Sequence, residues 1–214
     1  MPPWPVELVR IRSVTFALVV IAGYLLGSCP WGYWLVRAFH GEDIRRRGSG
    51  GIGATNVWRV YGRRLGLTVV VLDVLKGFVP AFVGVQAVST LCGVVAGGAA
   101  MVGHARPIFL RFEKGGKMVA TLGGVVIAVA PLLVPIGAGL WLLTFGLTRY
   151  SSVASMVGAV SLPIAAYLLG YDVAVIVFFA LAAAGVLWLH RANVRRLLAG
   201  TENRFTSSRA AAPS

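Results

Sequence analysis

Apolar runs of nearly helix-spanning length follow one another along almost the whole chain, separated by short polar clusters. Crossing a bilayer as a helix takes roughly 20 mostly apolar residues. On that criterion the runs 13–36, 66–86, 87–103, 117–131, 133–148, 151–169 and 172–190 are predicted to be seven spans, some of them short. Pro131 and Pro135, the cluster Arg149-Tyr150-Ser151-Ser152 and the cluster Gly170-Tyr171-Asp172 mark tight helical hairpins. The least secure boundary is near Ser89-Thr90, where two spans also read as one long helix.

Composition agrees with this pattern. The 214 residues are 57% hydrophobic and only 13% charged, with a mean hydropathy of +0.81. Soluble domains are about 45–50% apolar and about 25% charged, so an all-α integral membrane protein is expected. The net charge of +13 would suit a nucleic-acid binder, but a chain largely in lipid has little surface left for a groove. Cys29 and Cys92 lie in apolar runs without CxxC spacing, which argues against a disulfide framework or a zinc cluster. Leu26-Gly27-Ser28-Cys29, preceded by Arg10 and Arg12, looks like a lipoprotein cleavage site. The apolar stretch nevertheless runs on to Val36 and further spans follow, so it is read as an uncleaved first span. The chain is expected to form one polytopic domain over 1–205, followed by a short disordered tail, 206–214.

Placing the basic residues orients the spans. With seven of them, the segments 37–64, 104–117 and 149–151 and the tail from Arg191 share one side and carry seventeen of the twenty Lys and Arg. Because Lys and Arg in short loops mark the cytoplasmic face, these loops and the C-terminus are expected in the cytoplasm and the N-terminus outside. Lys76 lies within a span, three residues from Asp73 and on the same helix face, which suits a structural ion pair.

Two cytoplasmic loops are both glycine-rich and basic. The first, Gly48-Ser49-Gly50-Gly51-Ile52-Gly53-Ala54-Thr55-Asn56-Val57-Trp58-Arg59, contains a formal GxGxxG. A dinucleotide site is excluded, because no strand precedes the glycines and Asp73, 20 residues on, sits in a span. What remains is anion binding by converging backbone N–H groups, with Ser49, Thr55 and Asn56 as side-chain donors. The second loop holds Gly103-His104 and then Lys114-Gly115-Gly116-Lys117, which lacks the Ser/Thr of a P-loop but places a lysine behind two glycines at a helix start, a plausible phosphate ligand. His190 and Asn193, three apart at the inner end of the last span, can point into the same vestibule. No GxSxG elbow occurs, and no histidine is followed five residues on by Asp, which argues against nucleophile-elbow hydrolases and HxxxxD acyltransferases. Seven acidic residues, mostly unpaired along the chain, argue against a magnesium-clustered kinase or phosphatase. The basic loops call for an anionic substrate that carries its own activation.

Taken in order, Gly27-Ser28-Cys29-Pro30-Trp31-Gly32, Asp43-Ile44-Arg45, Gly48-Ser49-Gly50 with Gly53-Ala54-Thr55-Asn56, Asp73-Val74-Leu75-Lys76-Gly77, Gly103-His104 with Pro107, Gly115-Gly116-Lys117, Arg149-Tyr150-Ser151-Ser152-Val153-Ala154-Ser155 and His190-Arg191 with Asn193 resemble the bacterial acyl-phosphate:glycerol-3-phosphate acyltransferase (PlsY) family. The likeness runs from about residue 22 to 205. It implies a seven-helix enzyme of the inner membrane, with its site facing the cytoplasm, no metal and no cofactor. The implied partners are acyl phosphate, glycerol 3-phosphate, membrane lipids and a soluble acyl-phosphate-producing enzyme, and the implied product is lysophosphatidate. Carried over, it makes Ser49, His190 and Asn193 catalytic. It gives phosphate binding to Arg59, Lys117, Gly50, Gly51, Gly53, Thr55, Asn56, Lys114 and His104. An acyl phosphate is already activated, so direct attack by the glycerol hydroxyl suffices, with its proton going either to the donor's phosphate or to His190. Three positions depart from the family. Gly51 stands where Asn is usual. Met118 replaces a glycine, with Glu113 inserted between Phe112 and Lys114. Ala192 replaces an acidic residue. The alternative from another class is a small transporter or flippase for a phosphorylated or anionic lipid substrate.

Overall fold

The computed structural model describes residues 6–205, so the expected disordered tail 206–214 lies outside the described residues. Within them all regular structure is helical: α1 (Val6–Gly27), α2 (Trp31–His40), α3 (Ala54–Tyr61), α4 (Arg63–Ala87), α5 (Thr90–Ala105), α6 (Val119–Val129), α7 (Val134–Thr148), α8 (Ser151–Leu168), α9 (Val173–Leu189) and α10 (Arg191–Leu198). Five stretches are long and apolar enough to cross a membrane. A sixth is added if α9 and α10, bent by 52° at His190, count as one.

Five predicted spans coincide with α4, α5, α7, α8 and α9. The run 13–36 also falls within a single candidate span, Val9–His40, which is locally interrupted where Ser28 donates its hydroxyl to Tyr24 O at 2.8 Å and Pro30, which has no N–H, precedes α2. One differs. The run 117–131 contains only α6, whose 11 residues reach about 16 Å, half of a ~30 Å hydrocarbon core. The doubtful boundary at Ser89-Thr90 is a true break, because Ser89 Oγ accepts from Cys92 N at 3.2 Å and caps α5. Arg12 Nη2 donates to Val88 O at 2.8 Å just past the end of α4. One of the two basic residues on the opposite face is therefore occupied in capping a helix.

Helix α4 is the hub, packed on α1, α3, α5 and α6, while α8 lies between α7 and α9, and α5 joins the two groups by touching α9. The α4–α6 crossing is tight enough that a Cβ at Gly77 would overlap Thr121 O and one at Gly124 would overlap Val74 O. Outward positions stay apolar: Leu142, Leu147, Leu181 and Trp188 are exposed, as lipid-facing residues should be. Inside, Lys76 Nζ lies 2.8 Å from Asp73 Oδ1 and donates to Cys29 O at 3.0 Å, so the intramembrane charges form a buried structural pair. At the loop-bearing end a small core of Val36, Ile44, Ile52, Val57, Val69 and Leu110 anchors the glycine-rich loops to α2, α3 and α4.

Candidate active site

The first glycine-rich loop is held from inside by one side chain. Gly48 and Gly50 take φ of +55° and +70°, which an L side chain adopts at a cost, and these turns bring the backbone round Asn56. Asn56 Oδ1 accepts from Ser49 N at 2.9 Å, and its Nδ2 donates to Arg47 O at 3.1 Å and Gly51 O at 2.8 Å. Asn56 is therefore a loop staple whose polar atoms are spent on backbone, a correction to its expected place as an open phosphate donor. The loop ends at Gly53, the N-cap of α3. Thr55 Oγ1 lies 3.2 Å from Ser151 Oγ at the start of α8. Helix α3 was not anticipated, although Ala54, Val57, Trp58 and Tyr61 carry the 0-3-4-7 spacing of an amphipathic turn pair.

Arg59 on α3 reaches a cluster built from four other segments. Lys117 Nζ donates to Asn193 Oδ1 at 2.6 Å, and Asn193 Nδ2 donates to Glu202 Oε1 at 2.6 Å. Glu202 also accepts from Ser152 Oγ at 2.8 Å and from Arg196 Nε at 2.7 Å. His190 sits at the bend between α9 and α10, with Nδ1 2.8 Å from Val186 O. A carbonyl only accepts, so Nδ1 carries the proton and Nε2 presents a lone pair. The segment after α10 is folded back: Phe205 N donates to Arg149 O at 2.9 Å, and its ring meets Trp58 at 5.8 Å and Phe145 at 5.6 Å.

The electrostatics describe a site with too much positive charge. Burial pushes Lys117 down to about 8, aided by Arg196, Lys114 and Arg59 and opposed by Glu202. Burial, with Lys117 beside it, pushes His190 down to about 4. Burial also lowers Arg59, whose Nε is buried without a hydrogen-bond partner. Burial alone would raise Glu202, but hydrogen bonds from Asn193, Ser152 and Arg196 outweigh it and hold the carboxyl below its ordinary value. Arg59, Lys117 and Arg196 thus surround a single carboxylate. Among the described residues no group of three His, Cys, Asp or Glu is placed to hold a metal ion.

Of the expected site residues, Arg59, Lys117, His190 and Asn193 come together, Ser49, Gly50, Gly51 and Gly53 lie on the loop that leads into Arg59's helix, and Thr55 stands in that helix's first turn. Lys114 is exposed and acts on the cluster only through its charge. His104 is a correction. It is buried with Nδ1 3.6 Å from Asp73 Oδ1, and Gly116 packs so closely over it that a Cβ there would overlap His104 Nε2. It packs beside the buried ion pair rather than in the phosphate cluster. Glu202, Arg196 and Ser152 were missed.

Comparison with known proteins follows the same lines. Residues 17–200 match the family model described as glycerol-3-phosphate acyltransferase. The chain is 41% identical to a glycerol-3-phosphate acyltransferase of Desulforamulus reducens, covering 88% of this chain and 94% of that protein. It is also 41% identical to one of Hyphomonas neptunium, over 100% and 99% of the two chains. Its fold is similar to the crystal structure of PlsY (YgiH), an integral membrane glycerol 3-phosphate acyltransferase, in its glycerol 3-phosphate form. That likeness has a TM-score of 0.87 and 39% identity over 90% of this chain and 96% of that one. The lysophosphatidic acid form gives a TM-score of 0.83 at 38% identity. Agreement over nearly the whole length, in sequence and in fold, makes this multi-pass membrane protein a member of the glycerol-3-phosphate acyltransferase family.

Proposed function

We propose that the protein transfers a fatty acyl group from acyl phosphate directly to the sn-1 hydroxyl of glycerol 3-phosphate, giving lysophosphatidate and phosphate. The observation that carries the reading is the cation excess around Glu202, with Arg59 Nε buried and unsatisfied. A buried donor without an acceptor is rare and costly, and a substrate phosphate oxygen would satisfy it. Three cations against one carboxylate leave about two positive charges, which matches one phosphate dianion.

The hydroxyl oxygen attacks the acyl carbon, the acyl C–O bond to phosphate breaks, and the phosphate leaves with the bonding pair. Base strength bears on the two routes for the proton. His190, pushed down to about 4, is a weaker base than a leaving phosphate, whose second pKa is ~6. Nε2 of His190 therefore orients the hydroxyl by accepting its hydrogen bond, and the proton ends on the phosphate. Ser49, the loop N–H groups and the α3 N-terminus hold the donor's phosphate. Asn193, fixed by Glu202, aims its amide oxygen at Lys117.

The same reading places the protein in the inner membrane as one polytopic domain. It has seven membrane segments, with α6 as a short one, the N-terminus outside, and the site facing the cytoplasm, where a soluble enzyme supplies acyl phosphate. The basic loops support that orientation. The relatives favour acyl transfer over a transporter, and Asp73 and Lys76, the charges a midplane carrier site would need, are locked to each other.

Direct transfer is tested by mixing the purified protein with acyl phosphate alone. Phosphate release and protein acylation stay absent until glycerol 3-phosphate is added. A stoichiometric burst of phosphate with acylated protein would overturn the direct route. Accessibility labelling checks the orientation, and residues 40–60 labelled from outside the cell would refute it.

A further inference from the structure

Away from the phosphate cluster a cavity of about 680 Å³ opens where α2 ends and the first basic loop begins. Ligand sites commonly fall in the range ~300–1,000 Å³. Its walls include Arg37, Arg46, Arg47, Glu42, Asp43 and Tyr33. Both carboxylates are engaged. Asp43 accepts from Arg45 through both oxygens at 2.8–3.1 Å, and Glu42 Oε2 accepts from Arg47 Nε at 2.8 Å and from Tyr61 Oη at 2.9 Å. Arg37 spends only Nη1, on Gly41 O at 2.5 Å. Among the described residues Arg46 makes no side-chain hydrogen bond or ion pair, so the cavity keeps guanidinium donors in excess of acceptors.

The surroundings choose among anions. Trp34 and Arg37, three apart, share a face of α2, and Trp34 is 37% exposed in a cluster with Trp31 at 5.4 Å and Phe109 at 5.7 Å. Phe39, five residues after Trp34, is 71% exposed. An exposed tryptophan directly below an arginine at the end of a span is the arrangement of a headgroup-level interface, with ring among acyl chains and guanidinium among phosphates.

We propose that this cavity binds the phosphate headgroup of an anionic phospholipid, with its acyl chains lying along Trp34. The site also shares a wall with the glycine-rich loop. Arg47 lines the cavity with its side chain, while its carbonyl oxygen accepts from Asn56 Nδ2 and from Gly50 N at 3.0 Å. A headgroup that draws the Arg47 guanidinium from Glu42 therefore acts on the backbone that shapes the loop.

The test is native mass spectrometry of the purified full-length protein in detergent. Phosphatidylglycerol and phosphatidylcholine of equal chain length are supplied in separate arms, and inorganic phosphate competes in a third. Phosphatidylglycerol should be retained in preference to phosphatidylcholine. Arg46→Gln should weaken that retention about fivefold, as expected for one headgroup contact of ~1 kcal/mol, and Arg46→Lys should keep most of it. Arg46 is exposed, so both variants should unfold at the wild-type temperature. Equal retention of the two lipids, or unchanged retention in Arg46→Gln, would overturn the proposal. Displacement of the lipid by millimolar inorganic phosphate would overturn the lipid as occupant. These readouts do not depend on catalysis, so they fail separately from the acyltransferase reading.

Discussion

The ammonium of Lys117 donates to the amide oxygen of Asn193 at 2.6 Å, across 76 residues of sequence. Because Glu202 accepts from the other end of the same amide, Asn193 cannot flip, and its oxygen stays on Lys117. One loop lysine is thereby positioned by the last helix and the segment that folds back after it.

This relationship makes activity depend on pH in a definite direction. With Lys117 pushed down to about 8, its ammonium is present below that pH and lost above it. The kcat/KM for glycerol 3-phosphate should fall as pH rises through about 8, and Lys117→Arg should move that fall to higher pH. His190, near 4, should give no acidic limb between pH 5 and 7. The stability term has the opposite sign. The unfolded lysine, at its ordinary value of 10.5, holds a proton that the native one gives up, so this group's penalty on folding shrinks as pH rises from about 8 towards 10.5. A pH–rate profile of both proteins checks the sign.

Gly51 can take the asparagine usual at its position. It is not among the positive-φ glycines, and a Cβ there would meet Ser49 Oγ at an ordinary 3.8 Å. Gly51→Asn should change stability by no more than ~0.5 kcal/mol, as other unstrained surface changes do, and lower KM for acyl phosphate by adding a donor. Gly50→Ala should cost about 1–2 kcal/mol, since φ is +70° and the Cβ would press Arg45 O at 3.2 Å. Thermal unfolding and steady-state kinetics distinguish the two positions.

Met118 stands in a left-handed conformation, φ +69°, directly after Lys117, and its thioether lies where a Cβ on Gly185 of α9 would touch it at 3.6 Å. The strain costs ~1–2 kcal/mol, and the side chain's packing against the main core offsets it. Met118→Ala should lose the packing and keep the strain, whereas Met118→Gly loses both. Glycine should therefore be more stable than alanine here, reversing their usual order of ~0.5–1 kcal/mol within helices. Alanine more stable than glycine by thermal unfolding would refute this account of the site.

The buried pair should behave as a unit. Lys76→Met leaves the Asp73 carboxyl buried without its cation, and breaking such a pair from one side typically costs about 3–5 kcal/mol. Adding Asp73→Asn should recover most of that loss. Unfolding temperatures of the single and double variants provide the check.

Most spans were legible because apolar runs of bilayer length have few alternative explanations. The one that differs turns on local length: only 11 residues of the run at 117–131 form an α-helix. At the site, Arg59, Lys117, His190 and Asn193 could be named because each sits beside a glycine motif or at a helix end. Glu202 could not, because in sequence it belongs to a polar tail. Only the return of the chain, with Phe205 against Trp58 and Phe145, brings it to Asn193. His104 and Asn56 misled for the converse reason. They stand in the right motifs, but their side chains turn inward, to Asp73 and to the loop's own backbone.

The most direct measurement is the rate at which purified protein in detergent, with no sealed compartment, converts radiolabelled glycerol 3-phosphate and acyl phosphate to lysophosphatidate. The account predicts product with acyl phosphate as donor. It also predicts a loss of about 10²–10³ in kcat/KM in Lys117→Ala and in Arg59→Ala, as when one preorganised charge contact to a transition state is removed. No product from acyl phosphate, or wild-type kinetics in both variants, would contradict it.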